Sequence, residues 1–243
     1  MTLKQVDSSV FQKELPISEN DLKLQTNYKL LIVGASGAGK TQFICELIKE
    51  RKKFMVDQFD CIIYNIPKNV SHLHSVETTI DKLYQIYPDL CVIEGLLTDL
   101  ENICPSNHIL LIFDDLFDQI VNSKNFSTLC TFGSRHNNAS MIITSQNYYE
   151  SGTYSLTIKR QMNYILLHYP HQDKQILNTI GRSFFSNNTK ILIHCFKKLM
   201  KQTTNPYQLY LFIDLYPSSP LPNSLRIRSN FFSDEPWFFV YHD

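Results

Sequence analysis

Several features that would each point to a class of protein are missing from the 243-residue sequence. Its 23 basic and 23 acidic side chains cancel to a formal net charge of zero, so no whole-molecule field attracts nucleic acid or anionic lipid. The first residues contain no apolar core of signal-peptide length, and no later apolar run approaches the roughly 20 residues of a membrane span. We therefore expect a soluble, intracellular protein without a membrane partner, in which any site for a polyanion is local.

Cysteine pairs of the CxxC type are also missing. The six cysteines lie far apart in mostly apolar neighbourhoods, which favours buried reduced thiols over metal ligands or disulfides. Glycine is scarce, because the chain has only seven, and three of them (Gly34, Gly37 and Gly39) fall within one short loop. Backbone freedom is therefore concentrated at that loop.

Apolar runs alternate along the chain with stretches of helical spacing. Strands are predicted at residues 28–33, 59–66, 90–95, 108–113, 140–145, 163–169 and 207–215. Helices are predicted after the glycine loop and at residues 76–87, 125–136, 155–162, 173–185 and 190–202. This alternation is typical of an α/β fold with a mostly parallel sheet covered by helices on both faces.

The domain organisation that we expect is simple. Residues 1–27 are polar and weakly periodic and are predicted to form an N-terminal arm, and residues 28–217 are predicted to form a single core. A Pro-rich stretch breaks regular structure near the end of that core. Residues 218–243 are predicted to form a tail that packs on the core or on a neighbouring subunit.

The segment GASGAGKT, residues 34–41, fits the pattern GxxxxGK[ST] between a strand and a helix. Glycines let backbone N–H groups wrap phosphates closely, and the helix N-terminus adds a partial positive charge. Lys40 is expected to reach the β- and γ-phosphates of a nucleotide, and Thr41 to offer its hydroxyl to Mg²⁺. The alternative is a glycine turn that binds nothing. The residues expected to contact the nucleotide are Gly34, Ala35, Ser36, Gly37, Ala38, Gly39, Lys40, Thr41 and Gln42.

Two carboxylates follow the apolar run HILLIF, residues 108–113. P-loop enzymes place the acidic partner of their metal at the end of a neighbouring buried strand. Asp114 is expected to hold the Mg²⁺ shell, and Asp115 to orient or deprotonate the attacking water. Carboxylates beside a buried strand are costly unless a cation or donors satisfy them. The alternative is a pair of acidic residues in a turn that faces solvent.

The apolar run SMIITS, residues 140–145, has candidate site residues on both sides: Gln146 follows it, and the polar segment FGSRHNN precedes it. Gln146 would lie beside the γ-phosphate if its strand lies between the other two, where its amide can donate to the phosphate and accept from the water. Arg135, in FGSRHNN, is a candidate arginine finger that reaches the nucleotide of a neighbouring subunit. A surface salt bridge or a DNA contact is the alternative for Arg135. The adjacent His136 is expected to be structural.

Together, GASGAGKT, LLIFDD, FGSRHNNASMIITSQNYY and YLFIDLYPSSPLPNSLRIRSNFF resemble a known family. They are similar to the genome-packaging ATPases of Polinton/Maverick elements and related animal DNA viruses, in the FtsK/HerA superfamily of P-loop NTPases. The resemblance covers about Tyr28 to Phe232. The first motif, GASGAGKT, specifies little about family. The segment that contains SRH and TSQN, and the later segment that contains IDL and LRIRSNF, are more diagnostic.

The resemblance implies a fold, an activity and a set of partners. It implies a RecA-like additional-strand sheet and a homo-oligomeric ring that uses ATP and Mg²⁺ to translocate double-stranded DNA into a capsid, with a capsid or portal vertex protein as a partner. The implied location is the host nucleus or the site of virion assembly. Carried over to this chain, Lys40 and Thr41 hold nucleotide and Mg²⁺, Asp114 and Asp115 form the Walker B pair, and Gln146 is the sensor. Arg135 is the candidate finger, with Arg226 and Arg228 as rivals.

Two other functions remain open from the sequence. A small-molecule or nucleoside kinase usually carries a lid with several arginines, and the arginines after Gln146 are few and scattered. A non-catalytic nucleotide-binding scaffold from a host-adopted element is the other alternative. Against such decay, the sequence keeps all of the expected site residues intact: Lys40, Thr41, Asp114, Asp115 and Gln146.

Overall fold

The computed structural model describes residues 4–6, 18–100, 108–133, 138–171, 173–185, 189–233 and 236–240. The strands within these residues are β1 Lys4–Val6, β2 Lys29–Val33, β3 Cys61–Ile66, β4 Cys91–Glu94, β5 Ile109–Phe113, β6 Ala139–Ser145, β7 Tyr164–His168, β8 Tyr210–Asp214, β9 Ile227–Ser229 and β10 Trp237–Val240. The α-helices are α1 Lys40–Lys49, α2 Arg51–Phe54, α3 His74–Ile86, α4 Phe117–Ile120, α5 Lys124–Thr128, α6 Ser155–Arg160, α7 Gln175–Phe184 and α8 Ile191–Leu199. Short 3₁₀ turns lie at Glu19–Leu22, Pro206–Gln208 and Asn223–Leu225.

The strands form one sheet in the order β1, β10, β9, β8, β7, β2, β6, β5, β3, β4. The run from β7 to β4 is parallel throughout, and β8, β9, β10 and β1 extend it with antiparallel pairs. The prediction of a mostly parallel sheet in an α/β fold is confirmed. The strand β6 lies between β2 and β5, which is the additional-strand order that the resemblance implies.

Alternate residues of β2 pack into two separate cores, one on each face of the sheet. Leu31 and Val33 face the core that also contains side chains of α4, α5, α7 and α8. Leu30 and Ile32 face the core that contains side chains of α1 and α3. Every residue of β2 is buried, as expected for a central parallel strand. The sheet is therefore covered by helices on both faces, as predicted.

The predicted helix over residues 125–136 differs from the structure. The chain forms α5 and then a π-helical turn at Leu129–Gly133, and the remainder of the predicted helix, residues 134–136, lies outside the described residues. The strands β1, β9 and β10 had not been predicted. Both β9 and β10 are short, and β9 contains an arginine, so neither shows a long apolar run.

Five cysteines lie in the described part of the chain, and all five carry reduced thiols. Cys130 and Cys195 are buried, and burial raises the pKa of the Cys130 thiol to about 11. The other three are half-buried, while Cys104 lies outside the described residues. None of the helices described is both long and apolar enough to cross a bilayer.

Candidate active site

The candidate site lies at the carboxyl edge of the parallel strands, where β2, β6 and β5 end side by side. Val33 pairs with Ser145, and Phe113 pairs with Ile143, so the three strands end at nearly the same level. The glycine loop follows β2, Gln146 follows β6, and the Asp114–Asp115 pair follows β5. Sheet topology therefore brings together all three groups of residues that the sequence placed far apart.

The glycine loop turns sharply into α1. Gly39 adopts a left-handed conformation (φ +99°) directly before the first helical residue, Lys40, and residues with a Cβ rarely adopt this conformation. Gly34, at the start of the loop, lies against His168 of β7, where an added Cβ would approach the Cβ of His168 to 2.9 Å. The motif glycines are therefore required by the shape of the loop, and α1 directs its N-terminal N–H groups toward the loop interior.

Lys40 points back into the loop that precedes it. Its ammonium donates to the carbonyl oxygens of Gly34 at 2.8 Å and Ala35 at 3.2 Å, and the residue is only 6% exposed. Burial lowers the pKa of Lys40, and the nearby carboxylates of Asp115 and Asp114 oppose that shift. The cation is thus held at the centre of the loop, where the phosphates of a nucleotide would bind.

The carboxylate of Asp114 is buried and accepts three hydrogen bonds from hydroxyl groups. Tyr64 donates at 2.6 Å and Thr41 at 3.1 Å to Oδ2, while Thr144 donates at 2.7 Å to Oδ1. Burial and the adjacent Asp114 raise the pKa of the Tyr64 phenol well above its usual value, so Tyr64 stays a donor. These bonds offset the cost of burying the carboxylate and fix its orientation.

Asp115 lies on the exposed side of the same strand end. Its backbone is left-handed (φ 52°), and its N–H donates to the hydroxyl of Thr144 at 2.9 Å. The amide of Gln146 lies 3.5 Å from Oδ1 of Asp115. Both side chains are exposed at the loop, so a water molecule and a terminal phosphate can reach them together.

The residues Tyr64, Thr144 and His168 belong to this site but were missed by the sequence reasoning. Thr144 sits within the predicted strand SMIITS, and its signal was a hydroxyl two residues before Gln146. Tyr64 belongs to β3, which pairs with β5 at Ile112, so only the sheet order reveals its contact with Asp114. Residue types alone did not distinguish either from other strand residues.

His168 lies beneath the loop and is 3% exposed. Neither of its ring nitrogens has a hydrogen-bond partner in the structure. Burial, with a smaller effect of the Lys40 charge, lowers the pKa of His168 to about 4. The imidazole is therefore neutral at pH 7 and adds no charge beneath the phosphate loop.

The candidate arginine fingers are only partly placed. Arg135 and the adjacent His136 lie outside the described residues. Arg228 is 4% exposed, and its guanidinium carbon lies against the packed rings of Phe212 and Phe231, at 4.8 and 4.7 Å from their centroids. Arg226 donates to backbone carbonyl groups near the amino edge of β7, at the opposite end of the sheet from the loop. Arg228 would have to leave the core to reach a neighbouring nucleotide.

The donor set at the loop suits Mg²⁺. The hydroxyl of Thr41 and the carboxylate of Asp114 lie 3.1 Å apart, and both are oxygen groups of the kind that Mg²⁺ prefers, so these two residues would hold the ion. Among the described residues, no three His, Cys, Asp or Glu side chains gather into a metal-binding group. A phosphate-bound Mg²⁺ needs only one or two protein ligands, and the residues present fit that requirement.

The strand order, the glycine loop and the carboxylates at the ends of neighbouring strands define the fold and site of a P-loop NTPase. Comparison with known proteins then shows which one this chain resembles. The chain belongs to the Poxvirus A32 protein family, whose sequence profile matches residues 17–214.

Individual relatives agree with this assignment. The DNA packaging protein OPG160 of Variola virus is 29% identical over 143 residues, which cover 57% of this chain and 52% of that protein. The DNA packaging protein OPG160 of Monkeypox virus is 29% identical over 143 residues, which cover 57% and 47%. The chain thus matches about half the length of these curated relatives.

A solved structure shares the fold. The DNA-packaging ATPase B204 of Sulfolobus Turreted Icosahedral Virus superposes with a TM-score of 0.50 at 13% identity. The superposition covers 79% of this chain and 94% of that protein. At this identity the similarity shows a common fold alone.

Proposed function

We propose that this chain is a Mg²⁺-dependent ATPase that drives double-stranded DNA into a viral or transposon capsid. The observation that carries the ATPase is the meeting of Thr41, Asp114, Asp115 and Gln146 at the end of the loop that holds Lys40. A loop that only bound phosphate would need no buried carboxylate held by three hydroxyl groups.

In this proposal the nucleotide phosphates lie against the N–H groups of residues 34–41, and Lys40 exchanges its bonds to Gly34 and Ala35 for phosphate oxygens. Bound Mg²⁺ neutralises phosphate charge, and Thr41 with Asp114 would hold it. The exposed carboxylate of Asp115 orients the attacking water and accepts its proton, while the Gln146 amide contacts the water and the γ-phosphate.

The DNA part of the proposal rests on the relatives. OPG160 of Variola virus is named a DNA packaging protein, and the chain belongs to a poxvirus family. DNA packaging needs repeated ATP hydrolysis that is coupled to the movement of DNA, and a hydrolytic P-loop site suits that requirement. The narrower resemblance to Polinton/Maverick packaging ATPases and the FtsK/HerA superfamily is part of the same proposal.

Assembly and location are proposed with the function. A homo-oligomeric ring would let one subunit complete the site of the next, with Arg135 as the candidate finger. The remaining partners are a capsid or portal vertex protein and duplex DNA. Two basic clusters could line a pore for the DNA, with solvated helix faces as the alternative: Arg51 to Lys53, and Lys197, Lys198 and Lys201. The proposed place of action is the host nucleus or the site of virion assembly.

Alanine at Lys40 tests the ATPase directly. We expect Lys40→Ala to release phosphate from ATP at a small fraction of the wild-type rate, because the cation at the loop centre is lost. Lys82→Ala, at an exposed position of α3, is the matched control and should retain the wild-type rate. Wild-type turnover by Lys40→Ala would refute the proposed site, and transfer of phosphate to a small molecule instead of water would favour a kinase.

A further inference from the structure

Two cavities flank the phosphate loop, and they differ in what lines them. One, of about 500 Å³, is lined by Gly34, Gln146 and His168 and therefore lies at the hydrolytic end of the loop. The other, of about 400 Å³, opens beside the start of α1 and is lined by Gly39, Gln42, Glu46, Tyr207, Asn230 and Phe232. The proposed hydrolytic mechanism uses none of the side chains of the second cavity.

We propose that this second cavity, the base cavity, holds the base of the bound nucleotide and that Tyr207 is the surface on which the base stacks. The inference rests on the proposed ATPase function. The inference names the residues that would recognise the nucleoside. The glycine motif concerns only the phosphates and does not identify those residues.

The sheet order fixes the direction in which the nucleotide lies. The γ-phosphate must face Asp115 and Gln146, which follow β5 and β6 on one side of β2. Tyr207 precedes β8, and Asn230 and Phe232 follow β9, so the base cavity lies on the other side of β2. A nucleotide whose terminal phosphate reaches Gln146 therefore directs its nucleoside toward Tyr207.

Tyr207 is placed and exposed as a stacking residue would be. Its ring approaches Gly39 so closely that an added Cβ there would lie 3.0 Å from Cδ1 of the tyrosine. The side chain is nevertheless 52% exposed, which leaves ring surface available on the cavity side. The 3₁₀ turn Pro206–Gln208 holds it, because Asn205 accepts a hydrogen bond from the Tyr207 N–H at 3.0 Å.

The remaining lining suits a nucleoside. Phe232 packs against Phe43 of α1 with ring centroids 4.7 Å apart and supplies a second aromatic wall. The amide of Asn230 can both donate and accept, as the polar edge of a base requires. Glu46 lies six residues beyond Lys40, or about 9 Å along α1, far enough from the phosphates to accept a hydrogen bond from ribose or from a base amino group.

The test compares a nucleotide with a phosphate chain that has no base. Binding of ADP, ATPγS and inorganic tripolyphosphate is measured by calorimetry for wild type, Tyr207→Ala and Tyr207→Phe, with Mg²⁺ present. We expect Tyr207→Ala to raise the Kd of ADP and ATPγS about tenfold through lost stacking, with the Kd of tripolyphosphate within twofold of wild type. Tyr207→Phe should bind ADP like wild type. Tyr84→Ala, an exposed tyrosine of α3, is the control and should change neither.

A fluorescence measurement gives an independent readout. In Tyr207→Trp, ADP should quench the new indole emission and tripolyphosphate should not, after subtraction of the signal from Trp237, the only native tryptophan. Thermal unfolding midpoints of all variants should stay close to wild type, because the Tyr207 ring is half exposed.

Three results would overturn the inference. Tyr207→Ala could bind ADP as tightly as wild type while Lys40→Ala does not, which would place the base elsewhere. Equal weakening of ADP and tripolyphosphate would show that Tyr207 only supports the loop. If wild type bound neither nucleotide nor tripolyphosphate, the proposed ATPase function would fail, and the inference with it.

Discussion

Thr144 connects both carboxylates of the candidate site. Its hydroxyl donates to Oδ1 of Asp114 at 2.7 Å and accepts from the N–H of Asp115 at 2.9 Å. It therefore sets the orientation of the residue proposed to hold Mg²⁺ and the backbone of the residue proposed to orient water. No other residue in the described part of the chain is seen bonded to both.

Replacing Thr144 with valine, which has nearly the same shape, removes only this hydroxyl. We expect Thr144→Val to lose about 1–3 kcal/mol of stability, because a buried acceptor and a backbone donor lose their partner. We expect ATPase activity and apparent Mg²⁺ affinity to fall roughly 10- to 100-fold, as for other groups that orient a metal ligand. Urea unfolding and an ATPase titration with Mg²⁺ measure these effects.

Thr144→Ser keeps the hydroxyl and serves as the matched variant, with activity near that of wild type. Unchanged Mg²⁺ dependence in Thr144→Val would show that Asp114 does not need this bond to be positioned.

His168 predicts a pH dependence of stability. Its pKa is lowered from 6.5 to about 4 in the folded protein, so below pH 6.5 the unfolded chain takes up a proton that the folded chain does not. Stability from this group is present above pH 6.5 and falls as the pH is lowered toward 4. The expected loss at pH 5 is about 2 kcal/mol.

Urea unfolding at pH 7.5 and pH 5 measures this loss. In His168→Gln, which cannot be protonated, the fall in unfolding free energy between these pH values should be smaller than in wild type by about that amount. Equal falls in the two proteins would mean that His168 titrates normally.

The residues of the candidate site that belong to sequence motifs could be predicted. The residues that contact them from other strands could not. Lys40, Thr41 and Asp114 are fixed by local patterns that combine a buried strand with specific polar residues. The roles assigned to them, and to Gln146 and Asp115, stay predictions until variants are measured. Tyr64 and Thr144 could not be predicted, because their contacts depend on which strands pair.

At the scale of single elements, the short strand β9, which lies between β8 and β10, is anchored through a buried cation. Arg228 packs against the neighbouring rings of Phe212 and Phe231 and donates to the carbonyl of Leu22 at 2.7 Å. Burial lowers the pKa of its guanidinium to about 10, so the group remains charged at pH 7. The contact joins β9 to the segment before β2.

Truncation of this anchor should weaken the fold. We expect Arg228→Ala to cost about 2–4 kcal/mol in the free energy of unfolding, since it leaves a gap beside two packed aromatic rings and an unpaired carbonyl. Arg228→Met should recover much of that loss by refilling the gap. Chemical unfolding of the two variants measures the difference.

Arg226→Ala is the matched control for this element. Its two bonds to backbone carbonyl groups are long, at 3.2 and 3.4 Å, and we expect a cost below about 1 kcal/mol. A larger loss in Arg226→Ala than in Arg228→Ala would contradict the assignment of the anchor.

The central strands could be predicted, and the antiparallel half only in part. Strands β2, β5 and β6 are buried along their whole length and read as apolar runs. Strand β9 is only three residues long and carries Arg228, whose burial depends on the two aromatic rings packed against it. A charged residue in so short a strand gives no local signal, so the tail was not predicted to join the sheet.

At the scale of the whole molecule, one sheet joins segments from both ends of the chain. Strand β1 pairs with β10, and β10 pairs with β9, so residues 4–6 and 237–240 extend the same sheet that carries the loop. The division into an arm over residues 1–27, a core over 28–217 and a tail over 218–243 stays a prediction. The neutral net charge places any DNA contact on local clusters, as the sequence indicated.

The most direct test of the central claim is phosphate release from ATP, measured with and without linear duplex DNA over a range of protein concentrations. If the chain is a packaging motor whose site is completed by a neighbour, specific activity should rise with protein concentration and rise again when duplex DNA is added. Lys40→Ala should release phosphate at only a small fraction of the wild-type rate under all of these conditions. Bound ATP without turnover, or turnover that responds neither to DNA nor to protein concentration, would contradict the account.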